Sequence, residues 1–573
     1  MRRRRVLTRA LPFALTVSAV AFTGGLVCAA TRQEAGRATA ERFAKAWSRG
    51  DYATMYSQLT DEARRRTSLK AFLDIYRGDE ATAAARALET GRPRSAGGGA
   101  YRVPVRVSTR IFGTVDGAVV LPMKDDGGAK RIDWARNLAF PGLEPGEALT
   151  RSTELPPRAA ILARDKTVLA EGSARTSPLG PLAASVVGQL GEIPAESSDR
   201  LYGLGVPRGA KVGVSGLERI FDTSLRGRPG GQLREGTRTI ARSTPRAATA
   251  VRTTISVPVQ RAAVAALGPR LGGVVAVKPR TGEILAFAGI AFSGLQPPGS
   301  TFKIVTATAA LQAGLTTPAT QYPVQTSAVL EGVQLDNANG EACGGTFAHA
   351  FAVSCNSVFA PLGAQLGAKR LVAAAQRFGF NSPADIPGAA ESSIPAADEI
   401  GDDLAVGSSA IGQGQVQAST LQMTSIAATI GLRGRRPRLT LRYDPTRRAA
   451  RTRRATYPKT ARTVEKLMLG VVSGGTGTAA AIPGVEVAGK TGTAELKDTM
   501  QCHPDPENPG ACPAAQQAPD PTNTDAWFVA YAPAGHGKPK IAVGVLLVAS
   551  GAGGATAAPS ARGVLEVGLH GPA

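Results

Sequence analysis

PPGSTFKIVTATAALQAGL, residues Pro297–Leu315, decides the reading of this chain. Two prolines and a glycine stop any regular element, and a long, mostly apolar helical run follows at once. Ser300 opens that run and Lys303 stands three residues later. Positions three apart share one face of an α-helix, so both side chains can enter one cavity. A serine hydroxyl is a weak nucleophile until a base takes its proton. Lysine is such a base when burial and nearby positive charge depress its pKa. The stretch IVTATAALQAGL supplies the burial. A plainer reading makes Ser300 an N-cap and sends Lys303 out to water. S-x-x-K alone does not choose between them.

Two stretches downstream bear on that choice. AFAVSCNSVFA, Ala350–Ala360, sets Ser354 and Asn356 where another apolar helical run begins. A hydroxyl and an amide two residues apart can relay a proton and hold a substrate peptide group; a turn cap is the structural alternative. VEVAGKTGTAEL, Val485–Leu496, reads as a strand with Lys490, Thr491, Gly492 and Thr493 at its centre. Lys490 offers a cation for a substrate carboxylate, and Thr491 and Thr493 offer hydroxyls. Gly492 lets a substrate backbone lie close against the strand edge. The alternative is an exposed edge strand guarded by a lysine.

Moving outward, TTISVPVQRAAVAAL opens a domain, and GGVVAVKPRTGEILAFAG forms a strand pair turning at Arg280-Thr281-Gly282. Upstream, RAAILARDKTVLAEG reads as two short strands around Arg164-Asp165-Lys166. VGVSGLERIFDTSLRGRPGG reads as one capped helix ending at glycines, with an Arg- and Thr-rich linker after it. Nearer the N-terminus, Ala40, Phe43, Ala44 and Trp47 recur at helical spacing until Arg49-Gly50-Asp51 breaks the run. Asp51 can cap a helix through Tyr52 to Leu59, and another runs from Leu69 to Tyr76. YRVPVRVSTRIFGTVDGAVVLPMK then alternates like strands and ends at a DDGG turn. Helices followed by an antiparallel sheet predict a small α+β domain ending near Leu149.

At 573 residues the chain is long enough for about three domains. Its net charge of +23 suits a polyanionic partner, either nucleic acid or an anionic cell envelope; the alternative is that arginine is simply the favoured surface residue. No basic helix interleaved with aromatics and no zinc-ligand spacing is present, which argues against nucleic acid. Arg2 to Arg5 precede a charge-free stretch from Ala10 to Ala30, long enough to span a bilayer with the arginines inside. It is an uncleaved anchor or a signal peptide, and either places the rest outside the cytoplasm; Leu26 and Val27 before Cys28 make a poor lipoprotein site. The other four cysteines form an even set that suits an oxidising space. Near-neighbour pairing would join Cys502 with Cys512 and Cys343 with Cys355; free thiols are the alternative.

S-x-x-K, S-x-N and K-T-G in this order are the active-site triplet of β-lactamases and penicillin-binding proteins. The chain therefore resembles the penicillin-recognising serine acyltransferases. Cys355 makes the middle motif S-C-N, a departure that leaves the flanking functional groups in place and sets a thiol beside them. QPPGSTFK, IGQGQ (Ile411–Gln415), GGTGTAA (Gly474–Ala480) and AWFVAYAP (Ala526–Pro533) are similar to transpeptidase landmarks. SGLERIFDTSLRG, Ser215–Gly227, resembles the pedestal of class B penicillin-binding proteins. The helical domain before it resembles the NTF2-like extension of the methicillin-resistance type.

The resemblance implies a multidomain α+β chain. A cytoplasmic tip and anchor or signal cover 1–31, and an NTF2-like α+β domain covers 32–150. A pedestal or dimerisation domain covers 151–253. A penicillin-binding transpeptidase domain, an antiparallel sheet flanked by helices, covers 254–573. The segment between anchor and pedestal is too short for a glycosyltransferase, so the enzyme is expected to be monofunctional.

The implied activity is D,D-transpeptidation of peptidoglycan stem peptides, with no metal or organic cofactor. Lys303 would take the Ser300 proton as Ser300 attacks the penultimate D-Ala carbonyl. Ser354 would pass a proton to the departing D-Ala, sharing it with Lys490. The oxyanion would rest on the backbone N–H groups of Ser300 and Thr493. Asn356 would bind the acyl amide, while Thr491 and Thr493 hold the terminal carboxylate. An amine of a neighbouring stem completes the cross-link, and β-lactams should acylate Ser300. The family's partners include a polytopic lipid-linked glycan polymerase. The rivals are a β-lactamase, for which no deacylating carboxylate motif is found, a D,D-carboxypeptidase, and an idle morphogenesis scaffold. The insertion KDTMQCHPDPENPGACPAAQQAPDPTNT, after K-T-G, is either a plain surface loop or a Cys502–Cys512-stapled rim of the cleft.

Overall fold

The architecture comes from a computed structural model, which describes residues 34–496 and 523–570. The expected membrane segment, Cys28 and the Cys502–Cys512 pair lie outside the described residues. Among the described residues no helix is long and apolar enough to cross a membrane. The chain divides into two compact units. The first holds residues up to 159 with 190–214 and 222–249; the second holds 160–189, 215–221 and everything from 250 onward. The stretch 151–253 thus contributes to both.

In the first unit, four helices (34–47, Tyr52–Ser57, Asp61–Arg66 and Leu69–Ala83) precede an antiparallel sheet. Asp51, Thr60 and Ser68 each accept a backbone N–H at a helix start, so every short helix has its own stop and start. The helix expected over Leu69–Tyr76 continues to Ala83, and the one from Tyr52 ends at Ser57. Strand Tyr101–Thr109 is the sheet's centre, pairing with Ala85–Thr90, Arg94–Ser95 and Thr114–Leu121. Tyr101, Val103, Val105 and Val107 face inward while Arg102, Pro104 and Arg106 face water, the period of a half-buried strand. The inward residues meet Phe43, Trp47, Phe72 and Tyr76 in one core.

Two readings of the middle region are corrected. The single capped helix is two, Gly216–Ile220 and Asp222–Leu225, broken at Phe221. Ser215 does not cap its helix; its hydroxyl accepts the Gln189 N–H at 2.9 Å. The Arg- and Thr-rich linker holds a strand, Arg238–Ser243, paired with Gly230–Glu235 and through it with Leu149–Glu154. The two short strands around Asp165 form as expected, Ile161–Leu162 against Val168–Ala170.

The second unit is built on a five-stranded antiparallel sheet. Its order is Glu283–Gly289, Gly272–Lys278, Ile541–Leu547, Thr524–Ala532 and Ala488–Glu495. Both faces are covered, which explains why AWFVAYA is apolar at every position. Ala526, Phe528 and Ala530 join one core with helices Val257–Leu267 and Ala557–His570. Trp527, Val529 and Tyr531 join the other, with helices Lys303–Gln312 and Thr420–Gly431. Helix Thr420–Gly431 lies so close that a Cβ on Gly544 would meet Thr424 Oγ1 at 2.2 Å. The K-T-G segment therefore sits on an edge strand backed by packed sheet.

Candidate active site

Ser300 is not an N-cap. It stands half-buried in a 3₁₀ turn, Gly299–Phe302, and the α-helix begins at Lys303. Gly299 has φ of +51° and no room for a side chain, since a Cβ would lie 2.7 Å from Thr493 O. Its N–H is held by Gly412 O at 2.9 Å, within the IGQGQ segment. The nucleophile turn is thereby wedged between that segment and the K-T-G strand. Gly492 has the same origin: a Cβ there would meet Pro298 O at 2.9 Å and Thr301 Cγ2 at 3.0 Å. Its bareness makes space for the protein's own turn, a reason the sequence does not reveal.

Lys303 does not reach water; it is 0% exposed. Its Nζ donates to Ser354 O at 2.7 Å and to Asn356 Oδ1 at 2.7 Å, with Ser354 Oγ at 3.4 Å. Lys490, also 0% exposed, donates to Ser354 Oγ at 2.9 Å and to Thr491 O at 3.0 Å. All these acceptors are neutral. Burial pushes the Lys303 ammonium well below the usual lysine range, and the Lys490 charge adds to the shift. Burial brings Lys490 down to about 7. A neutral amine has two hydrogens and one lone pair. The two 2.7 Å acceptors match the hydrogens of Lys303, leaving the lone pair to receive a proton.

Ser354 turns the chain between helices Phe347–Ala352 and Asn356–Leu366, with φ of +68°. That left-handed backbone costs a non-glycine residue about 1 kcal/mol or more and persists only where its surroundings fix it. Here both lysines bind Ser354, and the next residue, Cys355, is disulfide-bonded to Cys343. The near-neighbour pairing of Cys343 with Cys355 is thus formed, and the site carries a bridge and not a free thiol. Asn356 gives its carbonyl to Lys303 and one amide hydrogen to Asp336 O at 2.8 Å. Thr493 Oγ1 accepts the Gly553 N–H at 3.4 Å.

The three motifs, 190 positions apart from Ser300 to Lys490, thus meet at Ser354. Thr476 is a neighbour that the sequence reading left unassigned: its Oγ1 is 2.5 Å from Thr491 Oγ1. The similarity of GGTGTAA to a transpeptidase landmark was the signal available for it. Among the described residues no group of three or more His, Cys, Asp or Glu is placed to hold a metal ion. The arrangement can deprotonate a hydroxyl at neutral pH and deliver a proton through Ser354.

Three family models match the chain in order. An NTF2-like N-terminal transpeptidase domain covers 35–147, a penicillin-binding protein dimerisation domain 168–239, and a penicillin-binding protein transpeptidase domain 272–566. The peptidoglycan D,D-transpeptidase PbpA of Mycolicibacterium smegmatis is 34% identical over 388 residues, 56% of this chain and 72% of that protein. Its namesake in Mycobacterium tuberculosis is 34% identical over 387 residues, with the same shares. The penicillin G acyl-enzyme complex of penicillin-binding protein A from M. tuberculosis aligns with a TM-score of 0.54 at 29% identity. That match covers 72% of this chain and 100% of the other. A D,D-transpeptidase domain from Eggerthella lenta aligns with a TM-score of 0.56 at 27% identity, over 72% of this chain and 98% of that one. With the transpeptidase model spanning half its length and both upstream domains matched, this chain belongs to the class B penicillin-binding proteins.

Proposed function

We propose that this chain is a peptidoglycan D,D-transpeptidase that works through an acyl-enzyme on Ser300 and is acylated there by β-lactams. One observation carries the reading: two buried lysines, neither with an acidic hydrogen-bond partner among the described residues, converge on Ser354 beside the Ser300 turn. Lys303 takes the Ser300 proton as the hydroxyl attacks the penultimate D-Ala carbonyl. The oxyanion is held by the N–H groups of Ser300 and Thr493, each worth about 3 kcal/mol of transition-state stabilisation. Ser354, bonded to Lys490, returns a proton to the departing D-Ala. Asn356, with one amide hydrogen beyond its bond to Asp336, holds the acyl amide. An amine from a second stem peptide then attacks the ester and forms the cross-link.

The proposed domain limits are those read from the sequence. Residues 10–30 hold the enzyme at the cytoplasmic membrane with the catalytic unit outside; four arginines before a charge-free segment support this orientation. A polytopic glycan polymerase is the proposed neighbour that supplies nascent strands.

Fluorescent-penicillin labelling of the purified chain, with intact-mass analysis and Ser300→Ala as control, tests the reading. A long-lived adduct on Ser300 is expected, and donor and acceptor stems then separate cross-linking from simple D-Ala release. Rapid drug turnover would make the protein a β-lactamase. Absence of adduct, turnover and D-Ala release would leave a scaffold.

A further inference from the structure

We propose that Thr476 is an additional substrate-binding residue, the outer hydroxyl of a Thr476–Thr491 pair that grips the terminal carboxylate of the donor stem peptide. The proposal rests on the transpeptidase reading above and names how that site selects its substrate.

Thr476 lies in the bend after helix Pro458–Gly474. The bend is clamped to the end of the Phe347–Ala352 helix, two residues before Ser354. Thr476 N–H donates to Ala352 O at 3.1 Å, and a Cβ on Gly475 would stand 2.3 Å from the same oxygen. From this fixed bend, Thr476 Oγ1 sits 2.5 Å from Thr491 Oγ1. Thr491 is only 5% exposed, whereas Thr476 is open to solvent. Thr476 is therefore the member of the pair that an incoming ligand meets first.

Two hydroxyls bring two hydrogens, and one of them fills the short contact between the oxygens. For the other, the protein acceptor in reach among the described residues is Ala352 O, 3.4 Å from Thr476 Oγ1 and beyond normal O–H···O length. One hydrogen of the pair is thus kept for an outside acceptor. Thr493 is in a similar state, because its hydroxyl accepts from Gly553 and keeps its own hydrogen. Lys490 cannot take this duty. It has no exposed surface, and it donates to Ser354 Oγ and Thr491 O. Recognition of an anionic chain end falls to the hydroxyls, and a carboxylate is the acceptor that makes such bonds strongest.

The experiment compares Thr476→Val with the unaltered full-length chain on two donors, one ending in the D-Ala-D-Ala carboxylate and one in the corresponding primary amide. With the carboxylate donor, acylation efficiency should fall about tenfold, through KM and not kcat. With the amide donor it should barely change, and Thr476→Ser should restore most of the loss. Equal losses on both donors, or no loss on the carboxylate donor, would overturn the assignment while penicillin still labels Ser300. An unaltered chain that neither keeps a penicillin adduct on Ser300 nor releases D-Ala would instead remove the transpeptidase reading, and this proposal with it. A thermal melt of each variant separates lost binding from lost fold; if Thr476→Val is unfolded, Thr476→Ala is measured on the same two donors.

Discussion

Asp79 in the first unit and Lys303 in the second are both buried ionisable groups, and the molecule treats them in opposite ways. Asp79 is 4% exposed and meets the Arg136 guanidinium in a two-pronged contact, both bonds 2.6 Å. Burial raises its carboxyl, and Arg136 works against that rise. Lys303 is at least as buried, yet among the described residues it binds neutral oxygens, and the charge that acts on it is another lysine. The first arrangement keeps an ion as an ion and supports a fold. The second strips the charge from an amine and leaves a base.

Removing each group should therefore have opposite consequences. Lys303→Met should slow Ser300 acylation on the order of 10³-fold while changing stability little, because no buried carboxylate is stranded and the hydrogen bonds lost by Ser354 O and Asn356 Oδ1 are offset by burial of an apolar chain of similar size. Acylation kinetics with a chromogenic β-lactam and a urea melt on one sample read both effects. A clear loss of stability would mean that Lys303 holds the fold as Asp79 does, and the contrast would collapse.

Arg136→Ala is the converse. It strands a buried carboxylate and should destabilise the first unit by about 3 kcal/mol. Adding Asp79→Leu should recover much of that loss, since both charges are then gone. Calorimetry of the single and double variants decides it; no recovery would locate the damage in lost packing of the arginine stem.

Gly299→Ala sharpens the contrast from the side of geometry. Its φ of +51° and the Thr493 carbonyl 2.7 Å from a would-be Cβ leave no relaxed position for alanine. Acylation should fall about tenfold as Ser300 moves, with the penicillin adduct still on Ser300 by mass analysis. An unchanged rate would show that the turn tolerates displacement.

These features differ in how far the sequence discloses them. Ser300, Lys303, Ser354, Asn356 and the K-T-G strand were readable because their chemistry lies in local spacing. Burial of Lys303 followed from the apolar run around it. What joins them was not readable. Gly412 and Thr476 reach the site from turns far along the chain, and Asp336 from the end of a short strand, Val333–Asp336. No periodicity reports a contact between separate segments. Gly492 could be read as a gap for substrate, whereas the structure fills its space with the Pro298–Thr301 turn. The Arg238–Ser243 strand looked like a linker because its arginines and threonines present no clean apolar face; pairing with Gly230–Glu235 makes it a strand. Phe221 splits a predicted helix in two, and nothing in the local spacing marks the break.

The smallest effect tests the lysine side by pH. In the unfolded chain Lys490 has its ordinary pKa of 10.5, and in the fold burial brings it to about 7. Between those values the unfolded state holds a proton that the folded state has released. Stability must then rise with pH across that window, by about 1 kcal/mol per pH unit near pH 8. Below about pH 7 both states are protonated, the full cost of burying the ammonium applies, and this slope disappears. Lys303 shifts in the same direction and adds to the trend. Subtracting urea melts of Lys490→Met from those of the unaltered protein at pH 7.5 and 8.5 cancels the other titrating groups. A flat difference would mean that Lys490 keeps its proton in the fold, and Ser354 would then face a standing cation in place of a proton carrier.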